Sequence, residues 1–144
     1  VMTDLLHPRP ADRVLEIGPG CGYQAAVLSR LVAKVYSVET VAQLATEAGE
    51  RLRRLGYGNV VLRQGDGYLG WPEEAPFDGI IVTAAAPDLP EALVRQLKPG
   101  GRMVIPLGPR GGEQALCLVR KDADGTVDRR TILPVAFVPM VPGG

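Results

Sequence analysis

The sequence predicts an α/β fold: a mostly parallel, doubly wound sheet that ends in a C-terminal antiparallel hairpin. Three observations carry that expectation. Short Val- and Ile-rich runs alternate with segments of helical periodicity along most of the chain. A glycine-rich turn, "GPGCG", separates the first apolar run from the first long helical segment. After Pro106 the alternation stops, and two extended stretches follow with only a short turn between them.

Residues 13–17, 35–39, 60–63, 79–83 and 102–106 are short and apolar, as strands buried on both faces of a parallel sheet are. A helix is expected from about Tyr23, directly after the glycine turn. Val41, Leu44, Ala45, Ala48, Leu52 and Leu55 then recur at helical spacing and form an apolar stripe, with Glu47/Arg51 and Glu50/Arg54 four apart on the outer faces. Gly56 stops that helix. Asp88 and Glu91, with Pro90 between them, read as a capping box that opens a helix carrying Ala92, Leu93 and Leu97 and ending at "KPGG". "QALCLVRKD", the turn "ADGT" and "VDRRTILPVAFVPM" complete the hairpin. There is no internal repeat, low-complexity tract or linker, so one domain is expected over residues 1–144.

A length of 144 residues, zero formal net charge and 46% hydrophobic content suit one soluble globular domain with one core. Without a long Lys/Arg run the electrostatic footprint of a duplex binder is missing, so nucleic acid is not an expected partner. No apolar run approaches the roughly 20 residues that span a bilayer, and the N-terminus carries no signal-peptide pattern; no membrane partner and a cytoplasmic location are expected. Cys21 and Cys117 lie far apart, with neither a CxxC spacing nor a histidine cluster, which argues against a metal site and a structural disulfide. The single histidine, His7, precedes the first strand and reads as a surface or boundary residue. Oligomeric state is not legible at this level.

A strand that runs through a glycine turn into a helix puts backbone N–H groups at the carboxyl edge of the sheet, where ligands of such folds bind. Gly18, Gly20 and Gly22 either admit a ligand to bare backbone or simply make a tight turn. Their G-x-G-x-G spacing differs from the dinucleotide fingerprint, which points away from NAD and FAD. Glu39 lies 21 residues after Gly18 at the end of the second strand, placed for two ribose hydroxyls or else as a solvated carboxylate. Asp66 and Gly67, after the third strand, either meet an adenine amine or form an Asx turn. Three such stations suggest an adenosine-containing ligand, and S-adenosylmethionine suits the glycine spacing best.

The stretches "VLEIGPGCGYQAAVLSRL", "VYSVE", "LRRLGYGNVVLRQGDGYLGWPEEAPFDGIIVTAAAP", "LVRQLKPGGRMVIPLG" and "ILPVAFVPM" resemble the protein-L-isoaspartate O-methyltransferases along nearly the whole chain. The resemblance implies the Rossmann-like fold of S-adenosylmethionine-dependent methyltransferases, with S-adenosylhomocysteine as product. It also implies methylation of the free carboxyl of isoaspartyl residues in damaged proteins, a repair reaction, with isoaspartyl peptides and proteins as partners. By position it assigns the methionine part of the cofactor to Gly18, Gly20 and Gly22, its ribose to Glu39 and its adenine to Asp66 and Gly67; Glu16, Cys21 and Thr83 complete the cofactor-binding set. Pro19 and Cys21 stand where Thr and Ser are common, so side-chain hydrogen bonds from that loop are in question.

In "TAAAPDLP", Thr83, Ala84 and Ala85 are the acceptor-site candidates, either as a small wall beside the transferred methyl or as packing in the loop. That stretch lacks the Asp or Asn followed by prolines of nucleic-acid amino-methyltransferases. No catalytic base is expected, because a carboxylate acceptor is already ionised at neutral pH and alignment of donor and acceptor suffices. Cys21 has no partner base that would make it a nucleophile. The family's N-terminal Gln-Thr-Ile-Ser segment is not in this sequence, which begins at Val1, so an incomplete acceptor side is expected. A missing N-terminal segment, a truncated gene and a natural short relative all meet that description. A small-molecule O-methyltransferase and a non-catalytic cofactor-binding module are the competing readings.

Overall fold

The computed structural model describes residues 2–19, 22–109 and 111–140. Its elements run α1 (Met2–Leu6), β1 (Arg13–Ile17), α2 (Gly22–Ser29), β2 (Lys34–Glu39), α3 (Ala42–Arg54), β3 (Val60–Gln64), β4 (Phe77–Val82), α4 (Glu91–Gln96), β5 (Leu97–Leu107), β6 (Gln114–Lys121) and β7 (Val127–Val135). Two 3-10 turns, Gly67–Leu69 and Pro72–Glu74, lie between β3 and β4. One sheet has the order β3-β2-β1-β4-β5-β6-β7. β1 to β5 pair in parallel, and β6 and β7 form the expected antiparallel hairpin, with β6 lying against β5. Chain order reverses between β1 and β4, so their carboxyl ends flank the crevice where folds of this type take ligands.

Side chains alternate between two buried faces. Leu15, Ile17, Tyr36, Val38, Ile80, Val82, Met103 and Ile105 pack with Leu93 of α4 and with Trp71. Val14, Val35, Ile81, Val104, Leu116 and Leu118 pack with Leu6, Ala25 and Leu28 from α1 and α2. Burial on both sides is why the central strands read as unbroken apolar runs. Tyr36 anchors one face, meeting Trp71 and Phe77 edge-on with ring centroids 5.5 Å apart in each case.

The long helix matches its stripe in part. Ala45, Ala48 and Leu52 are buried, while Val41 and Leu55 are its exposed flanking residues rather than members of the apolar face. Gly56 follows with a φ of 81°, the left-handed conformation that ends the helix.

Two expectations need correction around α4. Asp88 does not cap it: the N-cap is Pro90, no side chain caps the helix, and Asp88 is exposed. Glu91 is the first helical residue, so Asp88 stands too far upstream for a capping box. Nor does the helix reach "KPGG", because Leu97 is extended, pairs with Phe77 of β4 and begins β5. Burial of Leu97 in the core outweighs its helical propensity, and Lys121 donates from Nζ to the carbonyls of Val94 and Leu97, both at 2.8 Å, in place of a further helical turn. β4 also ends one residue sooner than expected, leaving Thr83 beyond it.

Helix α1, with too few residues for a periodic signal, was not anticipated. It is placed by Leu6, which lies against Gly79 so closely that a Cβ there would stand 3.2 Å from its side chain. No helix among the described residues is long and apolar enough to cross a membrane. Phe77→Ala, which empties the space beside Tyr36, is expected to lower stability by about 3–5 kcal/mol, read as a fall in the urea midpoint.

Candidate functional site

At the end of β1 the chain must leave the sheet beside β4. The Gly18 N–H donates to Val38 O at 3.1 Å, while Thr83 donates to Ile17 O from its backbone N at 2.8 Å and from Oγ1 at 3.3 Å. Gly18 has a φ of 147°, and a Cβ on it would overlap Thr83 Oγ1. A side chain is therefore excluded at Gly18 by conformation and by contact. Gly20 and Cys21 lie outside the described residues; Gly22 begins α2.

Glu39 is not the solvated strand-end carboxylate that one reading allowed. It is 0% exposed, and its Oε2 accepts from the Val41 N–H at 3.1 Å. Glu16, also fully buried, accepts from Ser37 Oγ at 2.6 Å across the β1–β2 pairing. A buried carboxylate is tolerable only with such hydrogen bonds.

Asp66 forms the Asx turn: Oδ1 accepts from the Tyr68 N–H at 2.9 Å and caps the first 3-10 turn. Gly67 is buried, and a Cβ there would come within 2.7 Å of Ile17 Cγ2 and Met140 Sδ. Glycine is needed here for close approach.

Of the two readings of the alanines, a wall beside the methyl or packing in the loop, their burial matches the packing one. Ala84 is 0% and Ala85 4% exposed, Ala84 packing with the strand side chains, while Thr83 alone of the three is partly exposed. Ala85 is covered by a segment that the sequence reading had merged into the last strand. After β7 the chain returns over the carboxyl edge, where Ala85 N–H donates to Val138 O at 2.9 Å and Met140 N–H to Ala85 O at 2.8 Å. Tyr68 Oη donates to Met140 O at 3.2 Å, tying this strap to the Asp66 turn. Only the alternation break at Pro134 and Pro139 hinted at it. A cavity of about 120 Å³ beside the strap is lined by Tyr68, Ala85, Gly108, Gln114 and Met140. Other grooves among the described residues lie between α2 and α3, between α3 and β3, and at the amino edge near His7, which is exposed as expected.

Arg63 steadies the segment after Asp66. Its guanidinium donates to Gly70 O at 3.1 Å and to Glu73 at 3.0 Å, and it stacks over Trp71 at 4.3 Å from the ring centroid. The hydrogen bond from Arg63 holds the Glu73 carboxyl below its ordinary pKa.

A sheet of this order, with a glycine turn leaving β1 and an acid closing β2, defines a Rossmann-like domain of the S-adenosylmethionine-dependent methyltransferase class. Within that class the chain belongs to the protein-L-isoaspartate(D-aspartate) O-methyltransferase family, whose family model matches residues 1–143. A relative named protein-L-isoaspartate O-methyltransferase 2, from Nitrosococcus oceani, is 56% identical over 140 residues. That match takes in 97% of this chain but 64% of the relative. A solved protein-L-isoaspartate O-methyltransferase superposes with a TM-score of 0.89 at 36% identity, covering 99% of this chain and 45% of that one. A Plasmodium falciparum structure, described as a complex of such an enzyme with S-adenosyl-L-homocysteine, gives a TM-score of 0.77 at 26% identity, covering 97% and 69%.

Gly18→Ala is expected to cost about 1–3 kcal/mol in thermal unfolding, and adding Thr83→Ala should recover the part due to contact while leaving the part due to φ. Because Glu73 has a depressed pKa in the fold, its pairing with Arg63 contributes above the unfolded-state pKa and is lost as pH falls through the lower folded value. An NMR titration of the Glu73 carboxyl should show a lower midpoint in the parent chain than in Arg63→Ala.

Proposed function

We propose that these residues bind S-adenosylmethionine along the carboxyl ends of β1, β2 and β3, and that the protein methylates the free carboxyl of isoaspartyl residues in damaged proteins. The observation that carries the cofactor half is Glu39, a fully buried carboxylate on the strand next to the Gly18 turn. The residues suit such a ligand. Gly18 and Gly67, where a Cβ would overlap Thr83 Oγ1 and crowd Ile17 and Met140, let the chain pack closely at both ends of the edge. Between them stand carboxylates, which only accept, opposite the hydroxyl and amine donors of an adenosine.

In this reading Gly18, Gly20, Cys21 and Gly22 adjoin the methionine part, with Glu16 beneath them. Glu39 accepts from the ribose, Asp66 and Gly67 meet the adenine, and Thr83 lies at the methyl end. The family name and the S-adenosylhomocysteine in the Plasmodium falciparum structure support that assignment.

When bound, the sulfonium supplies an activated methyl: an acceptor carboxylate oxygen bonds to its carbon as the carbon–sulfur bond breaks and the electron pair passes to sulfur. No proton needs removal, since an isoaspartyl carboxyl is ionised at neutral pH. Thr83 Oγ1 donates to Ile17 O, which fixes its rotamer, and a neutral hydroxyl is too weak a base to take a proton, so it shapes the site. What the chain contributes is alignment and the exclusion of water.

The chain spans 64% of its Nitrosococcus oceani relative, so turnover on isoaspartyl substrates is proposed for the whole protein and cofactor binding for these residues. Calorimetric titration with S-adenosylhomocysteine should show binding that Glu39→Ala weakens by about a hundredfold, given the loss of a charge-assisted acceptor from the ribose. Methyl transfer should then favour an isoaspartyl peptide over its aspartyl twin. Absence of binding by a folded chain would overturn the cofactor reading, and equal methylation of both peptides would overturn the substrate.

A further inference from the structure

We infer that Gln96 is a positioning residue that fixes the adenine end of the site and, through it, selectivity for a 6-amino purine. The inference rests on the cofactor reading above. Gln96 is the last residue of α4, on the core side of the segment that follows Asp66 and away from the strand edge itself. Its side chain is only 6% exposed, and both ends of its amide are used. Nε2 donates to Leu69 O at 2.9 Å, and Oε1 accepts from the Trp71 N–H at 2.9 Å.

These two partners flank Gly70, whose φ of 61° reverses the chain between them. A Cβ on Gly70 would overlap Gln96 Oε1 and stand 2.9 Å from Leu93 Cδ2, so α4 and the segment are in direct contact. Leu69 N–H in turn donates to Asp66 O at 3.1 Å, and Gly70 N–H to Gly67 O at 3.3 Å. A continuous set of hydrogen bonds therefore runs from Gln96 through one 3-10 turn to the two residues proposed to meet the base.

A single 3-10 turn of three residues does not hold its own conformation in water and needs outside support. Arg63 supplies some from the solvent side, but its ion pair with Glu73 is exposed and screened. Gln96 adds buried support from the α4 side, beside the Asp66 cap and the Tyr68 hydrogen bond to Met140 O. An apolar residue of similar size would fill the same space and leave Leu69 O and Trp71 N–H without partners. The consequence for function is the aim of the Asp66 carboxylate: an acceptor held in place tells an exocyclic amine from a carbonyl, whereas one that can swing away discriminates poorly.

The test is calorimetric titration of the 144-residue chain with S-adenosylhomocysteine and with S-inosylhomocysteine, in which a carbonyl replaces the 6-amino group. Gln96→Met removes both hydrogen bonds, and Gln96→Glu keeps the acceptor for Trp71 but loses the donor to Leu69. Lys121→Met, which removes two hydrogen bonds from the end of the same helix without touching the segment, controls for loss of stability.

The parent and Lys121→Met should prefer the adenosyl ligand by the same ratio. Gln96→Met, which loses both hydrogen bonds, should bind it about tenfold more weakly and Gln96→Glu, which loses one, about threefold, with the inosyl ligand changing by less than about twofold in each. An unchanged ratio in the Gln96 variants would overturn the inference even if their melting temperature falls. Should the variants not fold, hydrogen exchange at the Trp71 amide of the parent decides: slowing on addition of S-adenosylhomocysteine supports the coupling, and no change overturns it. A folded parent that binds neither ligand would sink the cofactor reading itself, a result distinct from bound ligand with an unaltered ratio.

Discussion

The carboxyl edge of this sheet depends on the missing side chain at Gly18. β1 and β4 stay paired up to Ile17 and Val82, and Thr83 still returns two hydrogen bonds to Ile17 O. The chain must turn away in the space left by that contact. Any Cβ at Gly18 would force Thr83 aside, and with it the register that carries Ala84 and Ala85 into the core. The strap depends on the same geometry, because Ala85 supplies its hydrogen bonds to Val138 and Met140. One steric condition thus sets the exit of β1, the end of β4 and the cover over both.

The carboxylates add an electrostatic constraint. Glu16 and Glu39 are fully buried on adjacent strands, each anchored by a donor from its own neighbourhood, Ser37 for one and the start of α3 for the other. Burial of two acidic side chains at this edge requires such donors. Their rigid placement limits the reorganisation that binding of the proposed ligand would need.

Much of the fold was legible because the physics that buries a strand on both faces also writes it as an unbroken apolar run; β1 and β6 are found where expected, while β7 ends at Val135, short of the expected Met140. What failed was local and for identifiable reasons. Leu97 looks helical by its neighbours but is claimed by Phe77 across the sheet. Asp88 has the chemistry of a cap without the position. At the site, glycine spacing, the offset of Glu39 and packing as one reading of Ala84 were readable, whereas the strap and the anchoring of Leu69 by Gln96 were not. Each of those depends on contacts between residues far apart in the chain, which no window of sequence contains.

The strap has a consequence for assembly during synthesis. Tyr68 and Met140 are 72 positions apart, yet the hydrogen bond between them helps close the edge where the ligand is proposed to sit. Chains emerge from the ribosome in order, and contacts of long sequence separation form late. β1 to β4 can pair while the remainder is still being made, but the edge stays uncovered until residue 140 has left the exit tunnel. Until then the hydrogen bonds of Ala85 with Val138 and Met140 cannot form, so the cover over the end of β4 is the last part of that edge to be completed.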